Sequence, residues 1–278
     1  MIYYLIFIII IIYLIVFNFE KMTNDDMYEV KDIILISNTI LNFNNLTEYN
    51  NIPIITISWN SVTFIKKFIE QFKNYPNPII VLDNNSTFNP IFNYYKEIQE
   101  EFPNKVKIIL LRHNYGHEVY LKFKSYLPNI YFLSDPDLEI SKDLPINFAE
   151  IYLKLSNKYK THKLGAALDI SDSHLFIDCD NYTKDQNIYQ WESQFWINPV
   201  NDSKFELYSA DVDTTFCLIN NNYESNNMRI AGKFTMKHLP WYKNYIKNNF
   251  LEDELIHWKK SNKSSSILFT CLELFRNI

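Results

Sequence analysis

The chain has 278 residues, a net charge of -5 and no run of basic residues, which argues against a nucleic-acid-binding surface. Its three glycines exclude a glycine-rich phosphate loop of the P-loop or dinucleotide-binding type. Its three cysteines are so widely spaced that they indicate neither a zinc site nor a disulfide framework. From residue 52 onward the chain is long enough for one hydrophobic core of ordinary domain size.

The first 17 residues are almost wholly apolar, and the first charge is at Glu20. As a helix, this run approaches the roughly 20 residues that cross a hydrocarbon core. No Lys or Arg precedes it and no Ala-x-Ala-like site follows it, which disfavours a cleavable signal peptide. We therefore predict an uncleaved transmembrane anchor over 1–19 and a single-pass membrane protein. Mixed charges after the run leave the orientation open.

Residues 20–51 are polar and rich in Asn, apart from an apolar patch at 33–36. This composition predicts a stalk or linker, or an accessory element at the edge of the domain that follows.

Four short apolar runs follow, and amphipathic helical spacing comes after each of the first three. The predicted strands are 52–58, 79–82, 106–111 and 130–133. Strands that alternate with helices indicate right-handed crossovers and a parallel sheet. In such sheets, ligands bind outside the carboxyl ends of the strands.

Polar residues stand at all four of these ends: Ser58-Trp59-Asn60, Asp83-Asn84-Asn85, Arg112-His113-Asn114 and Asp135-Pro136-Asp137. Each alone fits an ordinary polar turn. Together they supply an aromatic ring, a carboxylate, a guanidinium and a carboxylate pair, which favours a nucleotide-diphosphate pocket. The last two carboxylates are one residue apart, so both can point to one side of an extended chain. Hard oxygen ligands of this kind suit a divalent cation that carries a diphosphate.

In order and spacing, these elements resemble a family-2-type glycosyltransferase with the GT-A nucleotide-diphospho-sugar fold. The resemblance covers 52–139 well and extends more loosely to residue 254. It implies an α/β fold, with a mostly parallel central sheet flanked by helices. It also implies one GT-A domain over 52–278, with a nucleotide-binding half at 52–140 and an acceptor half at 141–278.

The resemblance also implies roles for single residues. The implied nucleotide-sugar-binding residues are Ser58, Trp59, Asp83, Asn85, Arg112, Asn114 and Asp135. Trp59 would lie near the base, where the family often has Tyr, and Asp83 would accept from the base edge. Arg112 would line the nucleotide side, because a guanidinium binds phosphate or base oxygens well. Core packing for Trp59 and a surface ion pair for Arg112 are the alternatives.

The implied metal ligands are Asp135, Asp137 and His238, and the implied cofactor is Mn²⁺ or Mg²⁺. Asp135 would meet the ribose or a metal-bound water, whereas Asp137 would bind the cation. His238 would complete the shell as a neutral imidazole; a hydrogen-bonded structural histidine is the alternative. A C-terminal metal histidine is frequent among retaining enzymes, but the family-2 resemblance favours inversion, so the stereochemistry stays open.

Two acidic segments offer a catalytic base for an acceptor hydroxyl. Asp213 lies in Asp211-Val212-Asp213, before a predicted strand, and Asp253 lies in Glu252-Asp253-Glu254, at the start of a final helix. The second segment resembles the Glu-Asp element of inverting enzymes, although acidic residues also stabilise the first turn of any helix. We favour Asp213 over Asp253.

Together, these expectations predict a membrane-anchored, metal-dependent glycosyltransferase. It would transfer a sugar from a UDP- or GDP-type donor to a hydroxyl of a glycan, glycoprotein or lipid, with inversion. The alternative is a catalytically inactive GT-A protein that binds a sugar nucleotide or glycan. A nucleotidyltransferase is disfavoured, because a Gly-rich, basic first loop is absent after Ser58.

Overall fold

A computed structural model describes residues 23–40, 49–179, 182–183 and 185–261. The anchor predicted at 1–19 lies outside these residues. Within the described ranges, no helix is both long enough and apolar enough to span a bilayer.

The N-terminal half of the central sheet is built from four parallel strands. They are β1 (Ile54–Ser58), β2 (Ile79–Asp83), β3 (Val106–Leu110) and β4 (Ile130–Ser134), in the spatial order β3-β2-β1-β4. Ser58 pairs with Asp83, so the carboxyl ends of β1 and β2 are level. This confirms the predicted α/β class and gathers the four polar strand ends along one edge.

Five further strands continue the same sheet: β6 (Lys163–Ala166), β7 (Pro199–Val200), β8 (Leu207–Ser209), β9 (Cys217–Asn220) and β10 (Asn227–Ile230). Beyond β4 the order is β9-β6-β10-β8-β7. Strand β9 is antiparallel to both β4 and β6, and β10 is parallel to β6. Strands β6 and β10 therefore run in the direction of β4, and their carboxyl ends lie at the same edge.

A two-stranded ribbon brings the C-terminal part of the chain to the turn after β4. It consists of β5 (Leu138–Ile140) and β11 (Met236–His238), which are antiparallel, with Leu138 opposite His238. The side-chain amide of Gln71 covers the free edge of β5, since it donates to the Leu138 carbonyl at 2.9 Å and accepts from the Ile140 amide at 3.0 Å.

Helices cover both faces of the sheet. They are α1 (Asn24–Ile40), α2 (Val62–Phe72), α3 (Asn89–Glu101), α4 (Val119–Lys122), α5 (Phe148–Tyr159), α6 (Ile188–Ser193), α7 (Lys243–Asn249) and α8 (Glu252–Ser261). Neighbouring strand residues alternate between two cores: Ile54 packs in the cluster that includes Phe68 of α2, and Ile55 packs in the cluster that includes Ile36 of α1. This alternation is the period-2 geometry of a strand.

Helix α1 lies within the segment 20–51 that we expected to be a stalk or an accessory edge element. Ile36 and Ile40 are 0 % and 2 % exposed and belong to the core cluster on one face of the sheet. They are four residues apart, so they share one face of the helix. The helix packs near β3, the edge strand of the sheet, and so adds to the core of the domain.

One expectation from the cysteine spacing is wrong. Cys179 is disulfide-bonded, whereas Cys217 is a free, buried thiol. Folding can bring together cysteines that are far apart in sequence, so wide spacing does not exclude a disulfide.

Candidate functional site

The turn Asp135-Pro136-Asp137 directly follows β4 at the edge where the strand ends meet. The amide of Asp135 donates to the Thr214 carbonyl at 2.9 Å, and its Oδ2 accepts from the Thr214 hydroxyl at 2.6 Å. Burial, followed by the charge of Asp137, raises the pKa of Asp135 to about 7, and Asp213 adds to this. The carboxyl end of β4 and the segment before the neighbouring strand β9 are thus joined at the carboxylate of Asp135.

Asp137 faces His238 across the ribbon. Its Oδ2 lies 3.4 Å from His238 Nε2, while its Oδ1 and the Nδ1 of His238 are buried without a hydrogen-bond partner. Burial opposes protonation of His238, but Asp137 and then Asp135 outweigh it and raise its pKa. The predicted partners are therefore brought together, and each keeps one unsatisfied polar atom.

This donor set fits a divalent cation that shares its shell with a substrate. Across the described ranges, no three His, Cys, Asp or Glu side chains form a cluster that would hold a metal alone. Mg²⁺ is commonly bound by one or two protein carboxylates together with water and substrate phosphates, and carboxylate oxygens also suit Mn²⁺. Asp137 and His238 would supply the protein ligands, whereas the Oδ2 of Asp135 is engaged by Thr214.

At the ends of β1 and β2, Asp83 is enclosed by its neighbours. It accepts from the Ser86 amide at 2.8 Å, the Ser86 hydroxyl at 2.6 Å and the Tyr95 hydroxyl at 2.8 Å, and it is 1 % exposed. Burial raises its pKa. Tyr95 also lies 2.9 Å from the hydroxyl of Ser58. Asp83 and Ser58, which were predicted to bind the nucleotide, are thus buried below the sheet edge and are engaged by protein groups.

The loops after β1 and β2 are joined by a buried asparagine. Asn60 Oδ1 accepts from the amides of Thr87, at 2.6 Å, and Phe88, at 3.0 Å. Asn60 has φ +52° and Asn85 has φ +61°, a left-handed conformation that Asn tolerates better than most residues. Trp59 is half-buried and Asn85 is exposed at this edge.

The loop after β3 is held from two sides. Asp32 of α1, which is 0 % exposed, accepts from the Arg112 amide at 3.0 Å and the Tyr115 hydroxyl at 2.9 Å. Asn84 accepts from the Tyr115 amide at 2.9 Å. The side chain of Arg112 is exposed and that of Asn114 is half-buried, so both can reach a ligand at the edge.

The two candidate bases lie in different surroundings. Asp213 is exposed beside Thr214, and its carboxylate helps to raise the pKa of Asp135. Asp253 is exposed in the first turn of α8, where it accepts from the Glu254 amide at 2.9 Å.

The acidic segment 252–254 also has a structural role. Glu254 is 1 % exposed and accepts from the Ser61 hydroxyl at 3.0 Å and from the amide and hydroxyl of Thr63, at 2.9 and 2.6 Å. A carboxylate at the first turn of α2 favours that helix. Glu254 thus joins α8 to α2. This contact gives the acidic segment a structural role, which is the alternative to a role in catalysis.

A buried ion pair near the site was not predicted from the sequence. Glu192 Oε1 lies 2.5 Å from Arg229 Nη1, and their side chains are 2 % and 4 % exposed. Burial raises the pKa of Glu192 to about 7, although Arg229 opposes the shift. A sequence signal was present, because Arg229 interrupts the otherwise apolar end of β10, and a buried arginine needs a partner.

No protein-family model and no curated protein matches the chain. Solved structures to which it is similar include the following two. One is the mannosyltransferase PcManGT from Pyrobaculum calidifontis in complex with GDP-Man and Mn²⁺, with 12% identity over 69% of this chain and 53% of that chain and a TM-score of 0.39. The other is GalNAc-T7 with UDP, GalNAc and Mn²⁺, with 11% identity over 71% of this chain and 47% of that chain and a TM-score of 0.48.

The chain thus spans about half the length of each of these structures, 53% and 47%. The topology of the chain itself agrees with the fold expected from the sequence: the parallel order β3-β2-β1-β4 is followed by the Asp135-Pro136-Asp137 turn, and the ribbon returns His238 to that turn.

Proposed function

We propose that this protein is a metal-dependent glycosyltransferase that uses a UDP- or GDP-type sugar donor. The observation that carries the proposal is the pair of Asp137 and His238, which leaves a buried carboxylate oxygen and a buried ring nitrogen without partners. Such atoms are costly when left unsatisfied. A divalent cation bound to Asp137 would satisfy its free carboxylate oxygen and would neutralise charge on a diphosphate leaving group.

Asp213 is the proposed base. It accepts the proton of an acceptor hydroxyl as that oxygen forms its bond to the anomeric carbon of the donor sugar. The bond from that carbon to the diphosphate breaks, and its electron pair leaves with the nucleoside diphosphate. Direct displacement of this kind inverts the anomeric centre. Exposure of Asp213 beside Asp135 supports this role, since a general base must reach its substrate; Asp253 is the second candidate.

On the donor side, the proposal assigns the nucleotide to the loops after β1, β2 and β3. Trp59 offers an aromatic face, and the exposed guanidinium of Arg112 can bind phosphate or base oxygens. Asn85 and Asn114 add polar groups at the same edge. The acceptor is a hydroxyl of a glycan, glycoprotein or lipid.

Donor binding is tested by the thermal stability of the full-length chain with a panel of nucleotide sugars, with and without Mn²⁺. A ligand that binds only the folded state stabilises by about 2.7 kcal/mol at one hundred times its Kd. We expect stabilisation that requires Mn²⁺, and we expect Asp137→Ala and His238→Ala to lose it. Asp143→Ala, an exposed carboxylate on the same half of the chain, is the matched control. Absence of a shift with every nucleotide in both metal conditions would contradict the proposal.

Turnover separates an enzyme from a binding protein. We expect release of nucleoside diphosphate in Mn²⁺, at least about a hundredfold slower in Asp213→Asn, because general-base catalysis contributes about 10²–10⁴-fold. Tight nucleotide binding without turnover on a broad acceptor panel would favour the catalytically inactive alternative. The anomeric configuration of the product, read by NMR, tests inversion.

Membrane attachment through residues 1–19 belongs to the same proposal. It is supported by the apolar composition of that segment. We expect the full-length chain to resist extraction from membranes by alkaline carbonate and a chain that begins at residue 20 to be released.

A further inference from the structure

The loop that carries Asp213, residues 211–214, is held at its last residue and in its middle. Thr214 bonds to Asp135 through both backbone and side chain, at 2.9 and 2.6 Å. Val212 packs against Gly165 of β6 so closely that a Cβ at Gly165 would lie 2.5 Å from Val212 Cγ1. These two contacts leave the first residue of the loop to be fixed by another group.

That group is Arg229. Its Nε donates to the carbonyl of Asp211 at 2.7 Å, while its Nη1 bonds to Glu192 at 2.5 Å. The ring of Phe195 lies 4.0 Å from the guanidinium carbon. The planar guanidinium can serve a carboxylate and a carbonyl at once because its donors point in fixed directions, and the ion pair and the ring fix its plane.

The stability of the fold alone does not explain the buried ion pair of Glu192 and Arg229. Buried ion pairs can often be replaced by apolar residues of similar volume without loss of stability. What apolar residues cannot replace is the hydrogen bond to the Asp211 carbonyl, which lies two residues from the proposed base.

We propose that Arg229 is a positioning residue, which holds the 211–214 loop so that Asp213 faces the sugar-transfer site. Glu192 and Phe195 orient its guanidinium. The inference rests on the proposed function for its catalytic consequence, but the tether itself is a property of the structure.

The test compares Arg229→Lys with Glu192→Met/Arg229→Met in the full-length chain. Lysine keeps a charge that can pair with Glu192 but lacks the Nε donor to Asp211. The double substitution removes both charges and keeps the volume apolar. In both variants we expect kcat for donor turnover to fall about ten- to a hundredfold, the scale of a small misplacement of a catalytic group. KM for the donor and Mn²⁺-dependent nucleotide binding should stay within about twofold, because the donor loops are untouched.

Met228→Ala is the matched control. Met228 is the neighbour of Arg229 on β10, it is 2 % exposed, and it packs in the opposite direction, in the core. Its truncation should lower the Tm by creating a cavity and leave kcat unchanged. A kcat loss that followed Tm across all three variants would overturn the positioning role.

Amide hydrogen exchange of residues 210–216 gives a readout without turnover. We expect faster exchange in both Arg229 variants and no change in Met228→Ala, since local opening depends on the bonds that hold a segment. Unchanged exchange and unchanged kcat in Arg229→Lys would overturn the inference. If the wild-type chain turns over no donor, the proposed function fails, and the exchange experiment still decides whether Arg229 holds the loop.

Discussion

At the scale of single residues, Gly165 decides where the 211–214 loop can lie. A β-carbon at this position would be 2.5 Å from Val212 Cγ1 and 3.1 Å from Cγ2. Val212 is 6 % exposed and belongs to one of the two cores, so it cannot turn outward without loss of buried area. The glycine is required for a close approach and not for an unusual backbone angle.

We therefore expect Gly165→Ala to lower the free energy of unfolding by about 1–3 kcal/mol, the usual cost of overpacking a core. Urea denaturation measures the change. Val212→Ala removes the clashing methyl groups, so Gly165→Ala should cost much less in a Val212→Ala background. Equal costs in both backgrounds would show that the contact is not the cause.

Several polar residues of the site are fixed by hydrogen bonds that local sequence does not reveal. Asn60 and Asn84 each join two loops at the sheet edge, although both read as ordinary turn residues. Asp83 was predicted to bind the nucleobase, and in the structure it is enclosed by Ser86 and Tyr95. Its partners come from positions whose side-chain direction is set by helix α3 and the β2 turn, which residue types alone do not specify.

At the scale of elements, helix α1, which precedes the sheet in the chain, contacts the loop after β3 at the candidate site. Its Asp32 accepts the Arg112 amide, and its Glu29 forms an ion pair with Lys122 at 2.8 Å. The first contact is buried and the second is half-exposed. The helix therefore supports the loop that presents Arg112 and Asn114.

We expect Asp32→Ala to lower the free energy of unfolding by about 1–3 kcal/mol, because the Arg112 amide and the Tyr115 hydroxyl lose a buried acceptor. Glu29→Ala, on the same helix, removes an exposed ion pair and should cost less than about 1 kcal/mol. Urea denaturation of both variants gives the comparison. Similar losses would mean that α1 acts through general packing and not through the Asp32 contacts.

At the scale of the whole molecule, the residues that the structure describes form two apolar cores, one on each face of a nine-stranded sheet, and these cores stabilise the fold. The paired Asp137 and His238 lie at the edge of the sheet, and their side chains are 21 % and 16 % exposed. Burial of apolar area dominates the stability of a domain, so we expect the proposed metal to be needed for chemistry and not for folding.

Removal of the metal by a chelator tests whether it is needed for turnover but not for folding. We expect EDTA to abolish donor turnover while the Tm of the ligand-free chain changes by less than about 4 °C, the shift that corresponds to a stability change of roughly 1 kcal/mol or less in a domain of this size. Added Mn²⁺ should restore turnover. Cooperative unfolding on chelation would instead indicate a structural metal, and turnover that persists in EDTA would contradict metal dependence.

Residue patterns alone predicted the first half of the fold and the sheet edge at which the candidate site lies. Apolar runs that alternate with helical spacing are local signals, and the carboxyl ends of parallel strands must share an edge. The strands β1 to β4 and the turn at Asp135 and Asp137 could therefore be placed from residue patterns alone. The ligand-binding roles of the individual residues stay predictions.

Which distant residues join that edge depends on the pairing of remote segments. His238 reaches Asp137 because β11 pairs with β5, and Asp32 reaches the Arg112 loop because α1 packs near β3. Arg229 reaches the Asp213 loop because its strand, β10, pairs with β8, which that loop follows. Pairings between remote segments depend on the closure of long loops and on the packing of whole elements, and these leave no periodic signal in the chain.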